Sequence, residues 1–126
     1  MKLKLNKEEI KEVILDILCN GGVSMLDFIT VDYSQEHYQK LRDKNDSFED
    51  VLYKILEDGG KLKFIDEEYD GDYNKDLTMD LIELRLEEID NPDFIELLLT
   101  SLKEESDALT GYELIQWFLY KEVIFG

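Results

Sequence analysis

The sequence predicts an α+β domain, predominantly helical, with a small two- or three-stranded sheet. Three observations carry that expectation. Apolar residues recur at helical spacing in separate segments along the chain. Two short runs, Phe28 to Tyr33 and Lys61 to Ile65, have strand-like composition or alternation. One proline and seven glycines in 126 residues leave little for a linker, so residues 1–126 read as a single globular domain. A chain of that length buries roughly two-thirds of its unfolded surface, enough for a core without staples.

Asn6 and Glu9 have the spacing of a capping box, in which the two side chains satisfy free amides at a helix start. Ile10, Val13, Ile14, Ile17 and Leu18 follow as one apolar stripe, and Asn20-Gly21-Gly22 supplies a left-handed stop. Phe28 to Tyr33 then reads as a short strand, rich in aromatic and β-branched residues. Ser34 to Asp43 is a polar helix touching the body through Tyr38 and Leu41. Asp46 or Ser47 opens the next helix, whose stripe is Phe48, Val51, Leu52, Ile55 and Leu56 and whose stop is Gly59-Gly60. Lys61 to Ile65 alternates as a half-buried strand.

Asp66 to Asp76 is polar and acidic and reads as an exposed loop. Thr78 caps a helix to about Ile89, with a strand as the competing reading because Ile82, Leu84 and Leu86 alternate with Glu83, Arg85 and Glu87. Asn91-Pro92 breaks the chain and starts another helix. Its Phe94, Ile95, Leu97, Leu98, Leu99 and Leu102 are apolar on more than one face, which places it centrally. Thr110 and Glu113 repeat the capping pattern before a last helix carrying Tyr112, Leu114, Ile115, Trp117, Phe118 and Leu119, and Val123-Ile124-Phe125 forms a strand-like tail.

The hydrophobic and aromatic contents, 44% and 11%, argue against disorder. Cys19 is the single cysteine, so it makes no internal disulfide and no metal-ligand pair, and a reducing cytoplasm is the natural compartment. No apolar run approaches the ~20 residues of a spanning helix, and Met1 to Glu9 is charged where a signal peptide is apolar. A soluble, cytoplasmic protein is the expectation.

Charge is the strongest compositional feature: 31 acidic against 14 basic residues, net −17. It is lopsided. Residues 1–63 hold 13 acids and 10 bases, whereas residues 64–126 hold 18 acids and 4 bases. Such a field repels phosphate backbones and anionic membranes and attracts basic proteins. Direct nucleic-acid or membrane binding is thereby disfavoured. Acidity that serves only solubility is the competing reading.

Nucleophilic catalysis finds no support. Cys19 sits at a helix C-terminus, where the dipole disfavours a thiolate, and His37, the only histidine, falls in a polar segment. No zinc site and no histidine dyad other than Cys19–His37 can be drawn. The Gly-Gly pairs follow helices, whereas phosphate loops precede them. No enzyme, catalytic residue or cofactor is expected.

Asp66-Glu67-Glu68-Tyr69-Asp70-Gly71-Asp72 matches positions one, three, five and six of a calcium loop, but the twelfth is Leu77 where a bidentate glutamate is needed, and a strand precedes it. A solvated acidic turn is the favoured reading and a weak cation site the competing one, with no metal assigned. Asp80, Glu83, Glu87 and Asp90, spaced by three, four and three, form one acidic ridge if the segment is helical. Its rungs would be about 5–6 Å apart, comparable to the spacing of successive phosphates on a nucleic-acid strand. An ordinary solvated helix face competes with that reading. Trp117 and Tyr120, one turn apart, belong to the core or to a protein interface.

The C-terminal segment from Asp107 to Gly126 resembles the ending of certain small phage and prophage proteins of unassigned activity. Gly21-Gly22 after the first helix, Gly59-Gly60 after an amphipathic helix, and the strand and acidic turn from Lys61 to Asp70 extend the resemblance. The chain departs from the pattern at Val23-Ser24-Met25-Leu26, where those proteins carry aromatic residues. The resemblance implies a mobile-element origin and no chemistry, cofactor or functional residue.

Two functions follow as expectations. The first is an acidic phage-type protein inhibiting a basic host protein that handles nucleic acid, as an anti-CRISPR or nuclease inhibitor would, by mimicking or displacing the nucleic acid. Asp80, Glu83, Glu87 and Asp90 would carry the contact, with Asp66, Glu67, Glu68, Asp70 and Asp72 as a second patch. The alternative is an assembly module that forms homo-oligomers through its hydrophobic C-terminal segment.

Overall fold

The computed structural model describes residues 4–20 and 29–125. In chain order its elements are α1 (Lys7–Cys19), β1 (Ile29–Asp32), α2 (Gln35–Leu41), α3 (Phe48–Glu57), β2 (Lys61–Asp66), β3 (Lys75–Thr78), α4 (Met79–Glu87), α5 (Pro92–Leu102) and α6 (Ala108–Tyr120). Six helices and one three-stranded antiparallel sheet make the predicted α+β architecture.

Local chemistry accounts for most helix starts. Asn6 and Glu9 form their capping box, with the Glu9 amide donating to Asn6 Oδ1 at 2.8 Å and the Asn6 amide to Glu9 Oε1 at 3.0 Å. Ser47 does the same with Asp50 at α3, Thr78 caps α4 through the Leu81 amide, and Asn91 caps α5 with Pro92 in the first turn. The α3 stop is as predicted: Gly59 is left-handed at φ 86°, and the Gly60 amide donates back to the Ile55 carbonyl at 2.8 Å. Gly60 also has no room for a side chain, since a Cβ would lie 2.7 Å from Ile55 and 2.8 Å from the His37 ring. Gly21, Gly22 and Phe28 lie outside the described residues.

Sheet order is β1-β2-β3, with Val31 opposite Phe64 and Leu62 opposite Leu77. Along β2, Leu62 and Phe64 point into the core while Lys61 and Lys63 face out. α1 packs on α3, α5 and α6, and α5 packs on α6, with α3 against β2 and α6 against β3. The buried core takes Val13, Ile14 and Ile17 from α1, Leu52 and Leu56 from α3, Leu98 from α5, and Leu114, Ile115, Phe118 and Leu119 from α6. Asp16 ties the end of α1 to α5 and to the connection after it: its carboxylate accepts from Asn20, Ser101 and Ser106 at 2.5–2.6 Å.

Six expectations need correction. The third strand is Lys75–Thr78, inside the predicted loop and at its end, and the tail at 123–125 is no strand. Asp66 is not loop: it ends β2 and is 4% exposed. α5 is less central than its composition suggested, since only Phe94, Leu98 and Ser101 are buried and Leu99 remains 39% exposed. Phe48 leaves the α3 stripe for the surface, where its ring meets Tyr33 and Tyr38. The α6 cap is Asp107 with Thr110, one turn before the predicted Thr110–Glu113 pair.

That cap has a pH signature. Hydrogen bonds from the backbone and side chain of Thr110 hold the Asp107 carboxyl below its usual range. A depressed carboxylate stabilises the fold above its unfolded value of about 4, and the stabilisation disappears as pH falls through the native value. Asp107→Ala is therefore expected to lower stability at pH 7. In urea denaturation across pH the gap from wild type should shrink below about pH 4.

Candidate functional site

The acidic segment 79–87 is helix and not strand, so the ridge exists, in shortened form. α4 forms because Thr78 caps it, Asp80 sits in its first turn where the dipole favours an anion, and Ile82 and Leu86 bury one face. Asp80, Glu83 and Glu87 stand exposed on the other face. Asp90 is exposed as well but lies past the C-cap Glu88, so it extends the line from irregular backbone and is not a fourth rung. The acids do not stand opposite all the leucines, because Leu84 is 43% exposed. Among the described residues none of the four acids forms an ion pair.

The cations of this half are few and partly occupied. Arg85, half-buried on α4, donates Nε to the Phe118 carbonyl at 2.9 Å and Nη2 to the Leu119 carbonyl at 3.3 Å. These are orphan carbonyls of the last turn of α6, so the guanidinium caps that helix and pins α4 to it. Lys121 pairs with Glu88 at 3.2 Å. Sequence reasoning missed this role of Arg85, although it is the only arginine after residue 63 and falls between the acids of α4.

The second patch divides. Glu67, Glu68, Asp70 and Asp72 are exposed in the turn joining β2 to β3, around a Tyr69 that is 45% exposed. Asp66 is buried and turned inward. Its Oδ1 accepts from the amides of Glu68 and Tyr69, both at 2.9 Å, and its Oδ2 from the Tyr73 amide at 3.4 Å. Its carboxylate is thus occupied in shaping the turn and is removed from any contact surface. The same contacts take the first oxygen ligand out of the calcium-loop pattern, and Leu77, at the twelfth position, is core. Among the described residues no three His, Cys, Asp or Glu side chains converge as a metal site. The turn and the ridge lie at opposite ends of β3, about 13 Å of strand apart.

Cys19 is exposed at the end of α1. Desolvation by the adjoining protein, and then the carboxylates of Glu49, Asp50 and Asp16, push its thiol up, away from a reactive thiolate. His37 Nε2 is committed to Asp58 Oδ2 at 2.8 Å.

Trp117 and Tyr120 are half-buried. Tyr120 donates its hydroxyl to the Tyr73 carbonyl at 2.7 Å. Trp117 stacks on Phe94, with ring centroids 5.4 Å apart and planes 10° from parallel, while its indole N–H is buried without an acceptor among the described residues. Both rings line a cleft of about 170 Å³ where α4, α5 and the end of α6 meet, and Asp90 is on its wall. No motif announced this cleft, because it joins residues from three segments. No family model matches the chain, and neither a curated protein nor a solved structure matches it.

Proposed function

We propose that this chain is a binding protein whose acidic second half docks on the basic surface of a protein that handles nucleic acid, displacing or mimicking that nucleic acid. A phage-type inhibitor of a host nuclease or CRISPR effector fits the reading. One observation carries it: of the 18 acidic side chains in residues 64–126, all but Asp66 and Glu113 are exposed. Burial offsets almost none of the field, and the helix orders three of its charges in a row. The alternative, oligomer assembly through the C-terminal segment, has less support, because eight of the thirteen residues of α6 are buried in the chain's own core.

The test is a pull-down from nuclease-treated lysate with a salt gradient, repeated with the double variant Asp80→Lys/Glu83→Lys. Both positions are exposed, so the fold should be kept, with stability falling by about 1 kcal/mol because a lysine replaces Asp80 in the first turn of α4. A basic partner released at moderate salt and displaced by added DNA or RNA is the expected capture, since exposed charge pairs are screened within about 10 Å at 0.1 M salt. The double variant should bind that partner at least about tenfold more weakly, the equivalent of 1.4 kcal/mol. Unchanged binding by the variant would remove the ridge from the mechanism.

A further inference from the structure

The cleft beside Asp90 is built for a single side chain. Its volume of about 170 Å³ falls below the roughly 300–1,000 Å³ of sites that take whole small ligands. Phe94 and Trp117 line it as a stacked pair, and Arg85, Glu88, Asp90 and Lys121 surround them. Those two cations and two anions sum to zero, but they are not all paired with one another. Arg85 is held by the carbonyl end of α6, and Lys121 and Glu88 neutralise each other. Asp90, exposed and without an ion pair among the described residues, is the one carboxylate of the cleft with no cation on it. It lies where the acidic line Asp80, Glu83, Glu87 ends, so the ridge leads into an aromatic recess.

A recess with aromatic walls and one spare carboxylate matches a guanidinium better than any other side-chain head. Guanidinium is planar and weakly hydrated, stacks on aromatic faces, and pairs with a carboxylate, whereas an ammonium is compact and strongly hydrated. Interfaces concentrate their energy in such central pockets, with charged groups around them. We infer that this cleft receives one arginine side chain of the basic partner, seated against Trp117 and paired with Asp90. The inference rests on the acidic-face reading above and adds to it a discrimination between arginine and lysine that ridge charges alone do not make.

Trp117 is the only tryptophan, so its emission reports the cleft directly. The experiment titrates the full chain with two short synthetic peptides of equal charge, one with arginines and one with lysines at the same positions. Emission is followed for Trp117, and anisotropy of labelled peptides gives affinities. The arginine peptide should bind about tenfold more tightly and shift the Trp117 emission, while the lysine peptide leaves that emission in place. Asp90→Asn, a surface change in irregular backbone, should bring the arginine peptide down to the affinity of the lysine peptide. Equal affinities with unmoved emission would overturn the cleft assignment and leave the ridge standing. Failure of both peptides to bind at low salt would overturn the assignment and the acidic-face reading together.

Discussion

Replacing Gln116 by leucine is expected to destabilise the protein by about 3 kcal/mol and to lower Tm by roughly 10 °C. Gln116 is fully buried in the middle of α6, and its carboxamide makes four hydrogen bonds. Oε1 accepts from the amides of Ile124 at 2.9 Å and Phe125 at 2.7 Å. Nε2 donates to the carbonyls of Tyr112 and Phe125, both at 3.2 Å. Leucine keeps the volume and removes every polar partner. Two outcomes compete. If the tail stays, two amides and a carbonyl lose the Gln116 carboxamide as their partner, at about 1–3 kcal/mol each. If it peels away, water satisfies those groups, but Phe125, 8% exposed, leaves its packing against Tyr73 and Tyr120. Losing that burial costs about 2 kcal/mol, and the broken hydrogen bonds add about 1–2 more. Leucine's own burial returns part of this, so release is the cheaper route and the loss stays near 3 kcal/mol. Deleting residues 123–126 from the wild type should cost a similar amount, and deleting them from Gln116→Leu should cost little more, a non-additivity that thermal and urea denaturation would show. A loss under about 1 kcal/mol for Gln116→Leu would mean that the clasp does not hold the tail.

Gln116 also shows where the sequence stopped being legible. A glutamine between Ile115 and Trp117 in an apolar helix is visible in the chain, but the tail amides it holds lie eight and nine residues away, and no helical pattern connects them. What was legible was local. The caps at Asn6, Ser47, Thr78 and Asn91 act over two or three residues, and the stripes of α1 and α3 follow a fixed period. β3 was not legible, because Lys75-Asp76-Leu77-Thr78 has one apolar residue and is a strand only through its pairing with Lys61–Phe64. The α6 start was misread because Asp107–Thr110 and Thr110–Glu113 both fit a capping box. Thr110 itself is buried in the first turn and so serves as the third residue of the helix, not as its cap. For the site, helical phase placed Asp80, Glu83 and Glu87 on one exposed face. It misplaced Asp90, because the helix ends at Glu87. Composition made Asp66 look like its neighbours, and only the folded turn separates them.

Asp66→Ala is expected to cost about 3 kcal/mol, whereas Glu67→Ala and Glu68→Ala should change stability by less than about 0.5 kcal/mol. The contrast follows from what each carboxylate meets. Asp66 is 4% exposed and accepts three backbone amides, two of them at 2.9 Å, while its own amide donates to Asn74 Oδ1 at 2.6 Å. Hydrogen bonds to a charged group are worth about 1.5–3 kcal/mol each, and alanine removes the acceptor that the amides of Glu68, Tyr69 and Tyr73 share, a loss that solvent in the exposed turn makes good in part. That turn also holds Asp70 left-handed at φ 55°, a conformation costly for a residue with a side chain and kept only while the turn is closed. Asp66→Asn retains one acceptor oxygen and should lose about half as much. A second readout lies in Tyr120, whose hydroxyl is pushed up to about 12, first by burial and then by the Asp66 carboxylate and Tyr73. A raised tyrosine stabilises the fold below its unfolded value of about 10 and loses that contribution as pH rises through the native value. Without the Asp66 charge, Tyr120 should ionise earlier, and alkaline unfolding should begin at lower pH. An Asp66→Ala protein with unchanged Tm and unchanged alkaline titration would show that this carboxylate does not hold the turn, and would return it to the acidic surface beside Glu67 and Glu68.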